Sequence, residues 1–130
     1  MAIHDILFLV AAGLCVVGAL AHELAGAPKV LGPLQDTNLP NDVIWLQHFS
    51  WHVGTVAVLG MVAMYLLAVW HPAGSILALV ASFMGAGFAA FGISLAIFGN
   101  AALWRTPAPY PWGIIALIGF AGVLLDGSAA

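Results

Sequence analysis

The sequence predicts an all-α integral membrane protein in which four transmembrane helices form an up-down antiparallel bundle. Hydrophobic residues make up 64% of the chain and charged residues only 5%, whereas a soluble domain carries about 25% charged residues. Four apolar segments follow one another along the chain. The connections between them contain proline and glycine, which end helices. We therefore expect residues 1–130 to form a single transmembrane domain.

Charge and cysteine content narrow the class of protein further. Lys29 and Arg105 are the two basic residues, and the formal net charge is −3, so we expect no nucleic acid as a partner. The single cysteine, Cys15, lies in the first apolar segment and cannot form an intrachain disulfide. The expected partners are the lipid bilayer, of the bacterial inner membrane, and further subunits in a homo-oligomer or a larger membrane complex.

The first predicted helix covers residues 3–22. Its uncharged part, Ile6–Ala21, is slightly shorter than the ~20 residues that cross the hydrocarbon core, and flanking residues supply the remainder. The tripeptide Ala19-Leu-Ala21 resembles a signal-peptide cleavage site, but the N-terminus lacks the positive charge of a signal peptide. We interpret the segment as a transmembrane helix. The proline-containing connection 24–41 is expected to break the helix, as a surface loop or as a lid over the bundle.

The second predicted helix covers residues 43–70 and follows Asn41 or Asp42, either of which can cap it. Trp45 and Trp70 lie ~37 Å apart on a helix. This separation fits the aromatic belts at the two membrane interfaces. We therefore interpret the segment as a complete transmembrane span.

The third predicted helix covers residues 75–100 and follows a tight turn, His71-Pro-Ala-Gly74, which makes it antiparallel to the second. Small residues recur at every fourth position in two adjacent rows. The rows are Ala78, Ser82, Ala86, Ala90 and Ser94, and Ala81, Gly85 and Ala89. Because such rows let membrane helices pack closely, we expect either the central helix of the bundle or a contact with another subunit.

The fourth predicted helix covers residues 111–125 and is short. It either crosses the membrane with little tilt, extends through Tyr110, or is re-entrant, and we interpret it as a span. Four spans place both termini on the same side of the membrane and place Lys29 and Arg105 on the other. The positive-inside tendency makes the side of Lys29 and Arg105 cytoplasmic.

This topology gathers polar residues from four segment ends at one membrane face. They are His22, Glu23, Gln47, His48, His52, Asn100 and Arg105. An ionisable residue at the bilayer centre costs ~2.5–3.5 kcal/mol on insertion scales, and such residues usually face the bundle interior and find partners there. We therefore expect a His/Glu cluster at this face.

The spacing of His48 and His52 predicts a metal site. Residues at i and i+4 present two imidazoles on one helix face, as His-Glu-x-x-His motifs do. With His22 or Glu23 as a third ligand, the set matches a catalytic zinc site that keeps one open position. Iron and copper suit the same ligands. Since His22 and Glu23 point ~100° apart on a helix, we expect only one of them to bind the metal.

Two other functions fit the same cluster. His22 paired with His48 or His52 can supply the axial ligands of haem b. Alternatively, histidine and glutamate can exchange a proton, since histidine titrates near neutral pH. A purely structural interpretation also stands, in which His22 and Glu23 end a helix in the headgroup region and His52 stabilises helix packing.

A quinone or a lipid headgroup can also bind at this interface. Trp51 and Trp104 are then the apolar walls, and Arg105 holds an anion. The residues that we assign to cofactor binding are Trp51, Thr55, Asn100 and Arg105. The rival class is a non-catalytic accessory subunit of a larger membrane complex, docked through the small-residue rows of the third segment.

Three motifs lie in the first half of the chain. They are His22-Glu-Leu-Ala-Gly26, Gly32-Pro-Leu34 and Trp51-His-Val-Gly-Thr55. This pattern resembles an uncharacterised group of small, four-span bacterial membrane proteins. The resemblance implies a four-helix fold and a role for His22 and the Trp51-His52 pair, and it brings no activity with it. We expect a membrane protein whose His/Glu cluster binds a metal or redox cofactor.

Overall fold

The computed structural model describes residues 1–127, and among these residues it contains helices and no strands, which confirms the predicted all-α class. The α-helices are α1 (Ile3–Leu20), α2 (Ala27–Val30), α3 (Asn41–Trp70), α4 (Gly74–Ser94) and α5 (Pro111–Gly127). Short helices of other types connect them. Ala21–Gly26 and Leu95–Gly99 are π-helical, and Pro33–Asp36 and Ala101–Arg105 are 3₁₀-helical.

Three helical segments are long and apolar enough to cross a membrane. They are Ile3–Asp36, Asn41–Trp70 and Gly74–Gly99. Helix α5 is apolar but has 17 residues, so it is only ~25 Å long. The hydrocarbon core is ~30 Å thick. Residues 1–127 therefore contain three helices of spanning length and one shorter apolar helix.

The four long helices form a closed bundle, in which α1 packs against α3 and α5, and α4 packs against the same two helices. Phe8, Met61, Tyr65 and Ile115 are the large apolar residues at its centre, each less than 2% exposed. The start of α1 lies beside the end of α5, where His4 Nε2 is 3.4 Å from Asp126 Oδ1. Consecutive long helices are therefore neighbours that run in opposite directions.

Most of the small residues of α4 face the inside of this bundle. The buried ones are Ala78, Ala81, Ser82, Gly85 and Ala89. A Cβ atom on Gly85 would lie 3.2 Å from the carbonyl oxygen of Trp112 in α5, which shows how closely the two backbones approach. Ala90 is exposed. Most residues of the two rows therefore pack against other helices of the same chain.

The first helix is longer than the sequence predicted. It continues past His22 through the π-helical turn Ala21–Gly26 into α2, so the expected break at Pro28 is absent. Pro28 lies in the first turn of α2, directly after the π-helical turn. Its missing N–H removes one hydrogen bond from the continuous helix without ending it. The irregular connection therefore shrinks to the residues between α2 and α3.

Candidate functional site

Glu23 joins the π-helical turn to α3 at the predicted polar end of the bundle. Its Oε1 atom lies 3.1 Å from His52 Nδ1, and the Thr55 hydroxyl donates a hydrogen bond to the same oxygen. His52 and Thr55 lie on one face of α3, three residues apart. The side chain of Glu23 is 29% exposed and that of His52 is 55% exposed. The structure therefore brings together a carboxylate that directly follows the first predicted span and an imidazole from the second.

His22 turns away from this pair and packs against Trp51. The imidazole and the indole are stacked, with ring centroids 3.9 Å apart and 10° between the planes. His22 Nε2 also donates to the carbonyl oxygen of Trp51 at 3.2 Å. His22 and Glu23 thus serve different faces of the first helix, as their adjacent positions predict.

His48 lies one turn before His52, near the surface. Its Nε2 atom is 2.9 Å from Gln35 Nε2 in the 3₁₀ helix Pro33–Asp36, and its ring centroid is 6.5 Å from that of His52. Trp45 flanks it on the other side, with centroids 5.1 Å apart. Gln35 was not among the predicted site residues. No sequence pattern pointed to Gln35, because the position of a residue in the long connection depends on how the chain folds.

The four predicted metal ligands do not gather around one point. Among residues 1–127, no group of three or more His, Cys, Asp or Glu side chains is arranged to hold a metal ion. Glu23 and His52 are paired, whereas His22 stacks on Trp51 and His48 contacts Gln35. The three-ligand metal site stays a prediction.

A large cleft opens beside His22, between α1, α3, α4 and the start of α5. Its volume is about 920 Å³. Most of its walls are apolar, with Trp51 and Val58 on α3 and Phe88 and Phe91 on α4. Its polar lining consists of His22, Lys29, Thr55, Arg105 and Thr106. This composition, mainly apolar with a few polar groups, is typical of small-molecule sites.

Both basic residues of the chain line this cleft. Lys29 comes from α2 and Arg105 from the end of the 3₁₀ helix before α5. Within residues 1–127, neither forms an ion pair with a carboxylate. Lys29 was not a predicted site residue, although the topology had already placed it on the same side as Arg105. The two cations are therefore available to a negatively charged group at the cleft.

Both π-helical turns contribute to the wall of the cleft, through residues such as Gly26 and Leu95. π-Helical turns are rare in proteins, and those that occur often lie at functional sites. The indole Nε1 of Trp51 is buried beside the cleft, with no hydrogen-bond acceptor among the residues that the structure describes. Buried indole N–H groups usually have a partner, so this donor is a further unusual feature of the wall.

Of the predicted cofactor-binding residues, Trp51, Thr55 and Arg105 line the cleft. Asn100 has a local role instead, since its side chain accepts a hydrogen bond from the Ala102 N–H and caps the 3₁₀ helix. Trp104 packs on Tyr110 rather than forming the predicted wall, with ring centroids 6.2 Å apart.

Comparisons with protein-family models, with curated proteins and with solved structures gave no match.

Proposed function

We propose that the chain is a four-span integral membrane protein that binds an anionic amphiphile, a phospholipid with a net negative headgroup, in the cleft. Large apolar side chains on the outer faces of all four long helices support the membrane assignment. Val17, Leu67, Phe83 and Leu117 are between 52% and 71% exposed. Such faces suit lipid, since soluble monomers rarely expose large apolar patches. Helix α5 then crosses with little tilt, and polar residues at its ends reach the interfaces.

One observation carries the ligand assignment: the chain has only two cationic side chains, and both line the same apolar cleft. A phosphate between Lys29 and Arg105 would receive charge-assisted hydrogen bonds, which are roughly twice as strong as neutral ones. The guanidinium of Arg105 also matches phosphate geometry. An acyl chain would lie along Val58 and Phe91, where it is removed from water.

The membrane orientation follows from the same two residues. The positive-inside tendency places Lys29 and Arg105 on the cytoplasmic side. Both termini then lie on the opposite side, in a bacterial inner membrane. Anionic lipids of the cytoplasmic leaflet are attracted to basic residues near the surface, so the cleft would open at the leaflet that supplies its ligand.

Lipid binding by the purified protein tests this proposal. The full chain in mild detergent is titrated with phosphatidylglycerol or with phosphatidylcholine, and bound lipid is counted by native mass spectrometry. We expect one tightly bound phosphatidylglycerol and weaker phosphatidylcholine binding. Because a hydrogen bond to a charged group contributes about 1.5–3 kcal/mol, Lys29→Ala and Arg105→Ala should each weaken phosphatidylglycerol binding roughly 10-fold or more. Equal binding of both lipids, or unchanged binding by both variants, would contradict the proposal.

A steric pair of variants on α3 separates cleft binding from lipid bound elsewhere. Gly54 lines the cleft, and a Cβ atom there would lie 3.9 Å from His22 Nε2. Gly60 faces open space on the same helix. We expect Gly54→Leu to reduce the number of bound lipids by one, because its side chain occupies the cleft, and Gly60→Leu to leave it unchanged. The same loss in both variants would place the lipid outside the cleft.

The predicted redox function has less support from the geometry. A haem b in the cleft would need two axial histidines, and His22 is the one histidine among the described residues that lines it. An absorption spectrum of the purified protein distinguishes the two ligands. A Soret band that His22→Ala removes would favour haem over lipid.

A further inference from the structure

We propose that His48 and His52 chelate a divalent transition metal ion on the outer face of α3, with Glu23 as the group that orients His52. This site lies beside the cleft rather than in it, because the cleft lining includes neither histidine among the described residues. It differs from the three-ligand site predicted from the sequence, since His22 plays no part and Glu23 supports a ligand instead of binding the ion. The proposal does not depend on lipid binding.

The two imidazoles have the right relation for a chelate. They lie four residues apart on a regular α-helix, so both project from one face. Two imidazoles that bind one tetrahedral ion at ~2.1 Å would have centroids roughly 5–5.5 Å apart. The observed separation is 6.5 Å. A small side-chain rotation closes the difference, and the 55% exposure of His52 leaves it room to rotate.

Glu23 gives His52 the second contact that metal-binding histidines usually have. His52 Nδ1 lies 3.1 Å from Glu23 Oε1, so the proton is held on Nδ1 and the Nε2 lone pair is left for a cation. Thr55 donates to the same carboxylate oxygen and fixes it in place. A carboxylate that orients a histidine in this way also makes the imidazole a stronger donor to a bound metal ion.

Gln35 can orient the ring of His48 as Glu23 orients that of His52. Its amide lies 2.9 Å from His48 Nε2, and an amide can present either its oxygen or its NH₂ group. In the structure the NH₂ group of Gln35 donates to the Nε2 lone pair. A 180° turn of this exposed amide presents its oxygen instead, so that His48 keeps its proton on Nε2 and offers the Nδ1 lone pair. The remaining positions on the ion are open to water. Imidazole ligands suit copper, nickel and zinc, and Cu²⁺ binds most tightly in the usual order of divalent ions.

A metal titration of the full chain without an affinity tag tests this site. The protein in detergent is titrated with CuCl₂ and with ZnCl₂ by calorimetry, and the Cu²⁺ complex is examined by electron paramagnetic resonance. We expect one Cu²⁺ per chain with hyperfine lines from two nitrogen nuclei, and weaker Zn²⁺ binding. His48→Ala and His52→Ala should each weaken Cu²⁺ binding more than 10-fold. His71→Ala, an exposed histidine at the other end of α3, should not change it.

Glu23→Gln separates a true site from adventitious binding to exposed histidine. Loss of a second contact of this kind lowers metal affinity by roughly 10- to 100-fold, while both nitrogen ligands remain in the spectrum. A wild-type chain that takes up no Cu²⁺, or variants at positions 48 and 52 that bind as tightly as the wild type, would overturn the proposal. Unchanged affinity in Glu23→Gln would overturn the role given to Glu23. Lipid binding should persist in all these variants, so failure of one proposal is distinguishable from failure of the other.

Discussion

The imidazole of His22 lies flat against the indole of Trp51 and donates a hydrogen bond to the backbone carbonyl of the same residue, at 3.2 Å. One histidine thus binds both the side chain and the main chain of α3. Gly26, in the same π-helical turn, also lies against the indole, since a Cβ atom there would come 2.9 Å from Trp51 Cζ2. The π-helical turn Ala21–Gly26 therefore contacts Trp51 through two of its residues, and these contacts position one wall of the cleft.

Replacing Gly26 by alanine should loosen that wall. The added methyl group would overlap a rigid indole that is already stacked on His22, and overpacking of this kind costs typically 1–3 kcal/mol. We expect a lower thermal unfolding midpoint in detergent and weaker binding in the cleft. Gly13→Ala is the matched control, because its Cβ meets nothing within 4 Å, and it should be neutral or slightly stabilising. Equal midpoints for the two variants would show that Trp51 is not held as described.

The buried pair Tyr65 and Ser82 should respond asymmetrically to mutation. The Ser82 hydroxyl donates to the Ala78 carbonyl at 2.7 Å, so it accepts the bond from Tyr65, whose hydroxyl lies 3.0 Å away. Ser82→Ala leaves the Tyr65 hydroxyl buried without an acceptor, at a cost of about 1–3 kcal/mol, whereas Tyr65→Phe removes a bond that contributes only about 0.5–1.5 kcal/mol. Thermal unfolding should therefore show the larger loss for Ser82→Ala, and the reverse order would contradict the assigned directions.

Single-cysteine labelling in intact cells should show four spans. In a Cys15→Ala background, we expect a membrane-impermeant thiol reagent to label His71→Cys and Gly127→Cys from outside. Asn38→Cys and Thr106→Cys should react only after the membrane is opened, because they lie at the end with Lys29 and Arg105. Gly127 and Thr106 flank α5, so labelling of both from one side would mean that α5 is re-entrant.

Substitutions on the exposed part of α4 distinguish the ligand-binding protein from an accessory subunit. Ala90 is exposed and Ala86 is half-buried, so a leucine at either position adds bulk to the outer face. If the small-residue rows dock the chain to a partner, Ala90→Leu and Ala86→Leu should abolish a complex that blue-native electrophoresis of membranes detects. We expect the migration to be unchanged. Loss of a larger complex in both variants would favour the accessory role.

The proximity of Glu23 and His52 is the part of the site that the sequence predicted. Antiparallel connectivity places the end of the first helix beside the start of the second, so a carboxylate and an imidazole at those positions meet at one depth. Which of the polar side chains face one another could not be predicted from the sequence, because the direction of each side chain depends on how its helix is rotated about its axis. Helix α3 is apolar on nearly all sides, so no polar face fixes that rotation in advance.

The sequence by itself determined that the chain is helical, how many apolar segments it has and that the second turns into the third at residues 71–74, because hydrophobic length and helix-breaking residues act locally. Only the tertiary structure decided that the first helix continues through Pro28, that His22 stacks on Trp51, and that Lys29 joins Arg105 in one cleft. Lys29 and Arg105 are 76 positions apart in the chain. Their meeting depends on the packing of four helices and two π-helical turns, and no local pattern encodes it.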